Sequence, residues 1–279
     1  MRSDRVWWLF CLVTLALPGT ALAGSKITAT GGARNVEGSA GGGLVPWSLM
    51  AGYGSSGEWS ASAFVTRVTV DDYQLDVFGV STGWGDRVEL SIARQTLDVE
   101  PLNTEVRQDV FGAKVRLFGE LLYTAAPQVS LGFAHKRQRD FALPAALGAR
   151  RDSGTDLYLS ASKLWFAALA DRNLYLNGTL RYTEANETGL LGFGGPDGNG
   201  SLVLEAAVGL FLTDRLMLGY EYRQKPDHLS TIRERDWQNL FLAWFPSHHL
   251  SLVAAYADLD EVANRPDQTG AYLSLQLDL

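Results

Sequence analysis

Arg215-Leu216-Met217-Leu218-Gly219-Tyr220-Glu221-Tyr222-Arg223-Gln224-Lys225 sets Leu216, Leu218, Tyr220 and Tyr222 at every second position, with Met217, Gly219, Glu221, Arg223 and Lys225 between them. A period of two is the signature of a β-strand with unlike faces. The same alternation recurs upstream, where Leu174, Leu176, Leu180 and Tyr182 interleave with Asn173, Asn177, Thr179, Arg181 and Thr183. At the C-terminus Leu273, Leu275, Leu277 and Leu279 interleave with Tyr272, Ser274, Gln276 and Asp278. One greasy face and one polar face, repeated in strand after strand, is what lipid outside and water inside a transmembrane β-barrel require.

Extending this reading gives strands near residues 26–36, 44–54, 58–70, 73–84, 86–96, 106–118, 127–138, 154–165, 172–185, 200–212, 215–225, 236–245, 248–259 and 269–279. The expectation is therefore an all-β, antiparallel, up-and-down transmembrane barrel of about 14 strands. Twelve is the alternative, because Gly31 and Gly32 interrupt the first segment and glycine is poor in strand interiors. Connection lengths support the barrel independently. Gly54-Ser55-Ser56-Gly57, Gly85-Asp86, Thr213-Asp214 and Pro246-Ser247 are short, whereas Arg139 to Ser153, Asn186 to Asn199 and Pro226 to Arg235 are long. Short periplasmic turns and long external loops are the rule in such barrels, which places both chain ends in the periplasm and requires an even strand count. Trp59, Trp84, Phe118, Trp165 and Phe245 fall at the turn ends and Tyr182, Tyr222, Trp237 and Tyr256 at the loop ends. Two aromatic girdles at headgroup depth are expected from that arrangement.

The N-terminus carries Arg2 and Arg5, an apolar run from Val6 to Leu17, and Ala21-Leu22-Ala23 before Gly24. This order predicts a signal peptide over residues 1–23, cleaved to leave residues 24–279 as one outer-membrane barrel domain. The single cysteine, Cys11, lies in that leader, so disulfides, thiol catalysis and cysteine metal sites are excluded from the mature chain. A net charge of −7 argues against a nucleic-acid partner. The expected surroundings are outer-membrane lipids and the barrel-assembly machinery, with small solutes as possible cargo.

Several stretches taken in order resemble one family. They are Gly41-Gly42-Gly43-Leu44-Val45-Pro46-Trp47, Arg87 to Gln95, Asp152 to Asp156, Gly189-Leu190-Leu191-Gly192-Phe193-Gly194-Gly195, and Glu221 to Asp227. With these the chain resembles, over nearly all of its mature length, a family of Gram-negative exported proteins catalogued as a domain of unknown function, DUF3034. The resemblance implies an exported barrel-like protein and supplies no catalytic or binding residues.

Chemistry must then be sought in the inward face. Arg181, Glu205, Glu221 and Arg223 fall on three neighbouring strands at similar depth, and Glu89, Lys114 and Arg116 form a second group nearer the turn end. Such rings either select solutes by charge or fill a narrow lumen with ion pairs. Leu190, Leu191 and Phe193 put an apolar tip on a loop expected to face water, as a lid folding inward would. Asp197-Gly198-Asn199-Gly200 lacks the spaced carboxylates of a calcium loop, and Gly41-Gly42-Gly43 lacks the Lys-Ser/Thr of a phosphate loop. His135 reads as lipid-facing while Ser160 and Ser162 read as inward, so no nucleophile accompanies it. No catalytic residue, cofactor or metal site is expected. A porin-like channel or transporter for small or amphiphilic solutes is the leading reading, with a structural, occluded barrel as the alternative and a lipid-modifying enzyme the least favoured. A transporter of apolar compounds would need an N-terminal plug, and Gly24 to Gly43 is too short to supply one.

Overall fold

The computed structural model describes residues 26–196 and 200–279. The leader assigned to residues 1–23 and the triplet Asp197-Gly198-Asn199 lie outside them. Twelve strands close into one antiparallel barrel: β3 (Trp59–Val70), β4 (Tyr73–Trp84), β5 (Val88–Val99), β6 (Thr104–Phe118), β7 (Gln128–Gln138), β8 (Ser153–Leu169), β9 (Arg172–Thr183), β10 (Ser201–Thr213), β11 (Leu216–Arg223), β12 (Trp237–Ser247), β13 (Leu250–Asp258) and β14 (Thr269–Asp278). Each strand pairs with its neighbours in sequence, and β14 closes on β3 through pairs such as Leu273 with Arg67. Closure leaves no unpaired edge, which a β-structure in hydrocarbon cannot tolerate.

The wall is built as the alternation dictates. Leu90, Ile92, Phe111, Leu131, Phe133, Leu157, Leu159, Leu180, Leu204, Leu240, Leu242 and Leu273 all stand exposed on the outside. An apolar belt of this size around a closed barrel is a lipid-facing surface. At the end of the short turns, Trp59 and Trp84 are register partners whose rings stack at 5.8 Å, and Phe118 and Trp165 are exposed beside the same rim. Tyr182 and Tyr256 are exposed toward the other end. Two expected girdle members are not there. Phe245 and Trp237 are buried, because the register of β12 turns its odd-numbered residues inward and gives the lipid face to Leu240, Leu242 and Trp244.

The expected count of 14 gives way to 12, and the two segments that fail as wall strands are the first two. Residues 26–54 form a hairpin that enters the lumen from the turn end, rises toward the loop end and returns before β3. Lys26 N–H donates to the Tyr53 carbonyl where the two legs meet at the turn end (3.3 Å). Within it β1 (Ala33–Arg34) pairs with β2 (Ala40–Gly41), and Gly41 bridges Pro46. Every residue from Gly31 to Gly54 is buried. The legs are close enough that a Cβ on Gly31 would lie 2.9 Å from the Gly52 carbonyl oxygen, so glycine is required there. The view that the N-terminal segment is too short to plug the barrel is overturned, since the plug also takes Leu44 to Gly54, which had been counted as a wall strand.

At the loop end β3, β4 and β5 rise above the apolar belt. Arg67 pairs with Asp76, and Arg94 with Asp109, on the outside there (both 2.7 Å). Their inward positions, Val68, Val70, Leu75, Leu97 and Val99, are apolar and buried.

Candidate functional site

Irregular backbone at membrane depth is stable only where every N–H and C=O finds a partner inside the protein. The polar inner wall supplies those partners. The Pro46 carbonyl accepts from the Thr179 hydroxyl (2.9 Å), and the Ser48 carbonyl accepts from Gln128 and Ser130 (both 2.6 Å). The Val36 carbonyl accepts from Gln95 (2.7 Å), and Ser48 N–H donates to Ser162 (3.0 Å).

The charged residues expected in the lumen are there, arranged around the plug rather than around an open pore. Glu221 stands apart from the ion-pair network at its level. Its carboxylate accepts from the backbone N–H groups of Gly43 (2.9 Å) and Leu44 (2.8 Å), the Trp47 indole (3.2 Å) and Asn239 (3.1 Å). A Cβ on Gly42 would overlap this carboxylate, so the glycine run lets the plug backbone approach the wall. Arg181, Glu205 and Arg223 do meet. Arg181 is 2.7 Å from Glu205, and Arg223 is 3.3 Å from the same carboxylate. Three residues absent from the expected ring complete the network: Lys136 on β7, Asp156 on β8 and Glu37 on the plug. Glu37 contacts Lys136 (2.6 Å), Arg181 (3.0 Å) and Arg223 (2.6 Å), and Asp156 contacts Lys136 (2.7 Å) and Arg181 (3.0 Å). Three cations thus face three carboxylates, and the charge balances only because the plug brings Glu37.

The second group divides. Lys114 and Glu89 pair at 3.3 Å and grip the plug. Lys114 donates to the carbonyls of Ala40 (3.1 Å) and Trp47 (3.0 Å), and Glu89 accepts from the N–H groups of Ala40 (3.1 Å) and Ala51 (2.8 Å). Arg116 does not join them. It sits two residues nearer the turn end, where Asp86 of the β4–β5 turn takes it at 2.6 Å. The plug's Arg34, unremarked in the sequence, donates to Ser81 (2.9 Å) and Ser62 (2.7 Å) and faces Asp278 at 3.6 Å.

Two apolar cavities flank the plug. The one at the loop end has a volume of about 230 Å³. Val36 and Leu44 of the plug line it from below, Val68, Leu75 and Leu97 from the wall, and Leu190, Leu191 and Val262 from the loops. The one at the turn end, about 140 Å³, lies against Ile27, Trp47, Leu49, Leu164, Tyr175 and Met217. The loop carrying Leu190, Leu191 and Phe193 folds over the mouth. Phe193 is wholly buried, and its backbone exchanges hydrogen bonds with that of Arg151 (3.1 and 3.0 Å). Replacing Phe193 with Ala is expected to cost about 3–5 kcal/mol. The check is a lower unfolding temperature of the heat-modifiable band, alongside faster proteolysis of the 184–200 loop.

His135 is exposed on the outer surface, 2.9 Å from the Thr155 hydroxyl, whereas Ser160 and Ser162 are buried in the lumen against the plug. The histidine and the serines lie on opposite faces of the wall.

A family model described as a protein of unknown function (DUF3034) matches residues 30–276. The chain belongs to this DUF3034 family. The match begins at Thr30, so it takes in nearly the whole plug of this chain. No curated protein matches the sequence. Among solved structures the DUF3034 chain is similar to a KdgM porin, at 11% identity and a TM-score of 0.49 over 77% of this chain and 98% of that one. It is also similar to a NanC porin, at 13% identity and 0.44 over 78% and 98%. The outer membrane phospholipase A of Escherichia coli is similar at 9% identity and 0.36 over 80% and 92%.

Proposed function

We propose that this barrel is a gated channel for small apolar or amphiphilic solutes, closed by its N-terminal hairpin and loaded through the apolar cavity at the loop end. The observation that carries the reading is the cavity floor. Val36 and Leu44 close it from below, and they belong to the plug, which is held to the wall by side chains and not by the strand ladder. A sealed structural barrel would be served by a filled lumen. Here two apolar cavities of about 230 and 140 Å³ lie one on each side of a segment that can move without breaking the barrel. Apolar pockets with few polar groups are where apolar ligands bind.

The barrel lies in the outer membrane with its short turns and both chain ends toward the periplasm, as the contrast of short and long connections supports. The cavity then opens to the exterior. Lipids cover the belt. An enzymatic role has no support from the separated His135 and Ser160. Reconstitution in planar bilayers and proteoliposomes tests the reading. The expected result is a low resting conductance with saturable uptake of small apolar solutes and exclusion of sugars. Steady passage of sugars would mean an open pore, and a membrane sealed to every solute would leave only a structural barrel.

A further inference from the structure

The loop-end cavity is apolar except for Arg265, which pairs with Asp72 at 3.5 Å, and for one corner. Glu187 and Trp237 both line it, and each carries a buried polar atom with no hydrogen-bond partner: Oε1 of Glu187 and Nε1 of Trp237. Lys225 ties the two residues together. Its ammonium pairs with Glu187 Oε2 and lies 4.6 Å from the centre of the Trp237 ring. Glu234 adds a second buried carboxyl, accepting the Glu187 backbone N–H at 2.8 Å, and its own Oε1 is also unpartnered. Two residues that line one cavity thus carry an orphaned acceptor and an orphaned donor, and a small shift of either side chain toward an occupant would relieve it, since each buried polar atom left unmade costs about 1–3 kcal/mol.

Resting on the reading of this cavity as the loading site, we infer that its ligand is a small monocyclic phenol or alcohol whose hydroxyl donates to Glu187 and accepts from Trp237. A hydroxyl gives one hydrogen bond and takes others, so it answers both orphaned atoms at once. A carboxylate would be repelled by Glu187 and Glu234, which share one lysine, and the Arg265 guanidinium that also lines the cavity is already paired with Asp72. An ammonium would crowd Lys225 and leave the Trp237 N–H unpaired. Size points the same way. A dry cavity of ~150 Å³ holds benzene, and this one, at about 230 Å³, has room for a ring with a short substituent.

The test is calorimetric titration of the intact protein in lipid nanodiscs, with empty nanodiscs subtracted, using p-cresol, toluene, 4-methylbenzoate and 4-methylbenzylamine, which share a ring and differ in the head. The expected order is p-cresol first, about tenfold tighter than toluene, with 4-methylbenzoate weakest. Trp237→Phe should remove the cresol advantage while leaving toluene binding unchanged, and toluene binding serves as its own check that the variant is folded. Equal affinity for cresol and toluene would mean that water serves the polar corner, and it would overturn the hydroxyl assignment while the loading cavity stands. A cresol preference that survives Trp237→Phe would also overturn it. Binding of none of the four would remove both this inference and the loading-site reading.

Discussion

Replacing Glu37 with Ala converts the closed barrel into a conducting one. Glu37 is the plug's only carboxylate among Lys136, Arg181 and Arg223, whose charged atoms lie 2.6 to 3.0 Å from it, and all four side chains are almost fully buried. Without it, three cations share Asp156 and Glu205, and one positive charge is left uncompensated in a lumen from which the plug excludes water. Removing one partner of a buried ion pair costs about 3–5 kcal/mol. That cost falls on the plugged state alone, because withdrawal of the hairpin lets water reach the cations. A bias of ~3 kcal/mol moves a two-state equilibrium on the order of a hundredfold. The barrel itself should survive, since the hairpin contributes nothing to the ladder that closes β14 on β3. Single-channel recording is the check. The variant should dwell open with little preference between cations and anions, because the exposed ring then sets Lys136, Arg181 and Arg223 against Asp156, Glu205 and the Glu221 that the plug releases. Glu37→Gln, which keeps the shape and one acceptor, should lie between the variant and the parent. Unaltered conductance with an intact heat-modifiable band would show that the network does not hold the plug.

This result also marks how far the sequence could be read. All twelve wall strands were legible because lipid imposes a strict period of two on them, and their ends were legible wherever an aromatic side chain met a turn. The plug was not. Its two legs carry enough apolar residues to pass for strands, and the alternation test does not ask whether both faces are buried. The better signal was glycine. Gly31, Gly32, Gly38, Gly41, Gly42, Gly43, Gly52 and Gly54 are crowded into a stretch that would otherwise be two strands, and wall strands cannot afford so many. Arg181, Glu205, Glu221, Arg223, Glu89 and Lys114 were identifiable as inward because a charge on the lipid face is expensive. Their plug partners were not, because Glu37, the N–H groups of Ala40, Gly43, Leu44 and Ala51 and the carbonyls of Ala40 and Trp47 come from two segments read as wall strands and the connection read as an external loop between them. An apolar inner surface on β3 to β5 was hidden for a related reason. Where the wall leaves the membrane the outside turns polar, as at Arg67, Asp76 and Arg94, and the inward Val68, Leu75 and Leu97 look like lipid-facing residues out of phase.

If solutes pass only when the hairpin moves, tethering its tip must stop them, and the structure offers a place to do so. The tip turns at Asn35 to Ser39, where the Asn35 side chain accepts the N–H groups of Glu37 (3.2 Å) and Ser39 (3.0 Å). A Cβ built on Gly38 lies 3.7 Å from the Cβ of Ser91 on β5, inside the 3.5–4.5 Å range of disulfides. The sole native cysteine, Cys11, falls in the stretch assigned to the cleaved leader, so a Gly38→Cys/Ser91→Cys pair has no competing thiol. The cost is local. Gly38 has φ of +94°, and a side chain there strains the tip by about 1–3 kcal/mol while its Cβ presses on that of Ala93 at 3.1 Å. The reduced double variant should therefore carry apolar solutes at least as fast as the parent. Oxidation should abolish uptake and dithiothreitol should restore it, with Ser91→Cys alone indifferent to both. Uptake that continues in the oxidised protein would show that solutes bypass the hairpin, and the gating role would then fall to the loops over the mouth.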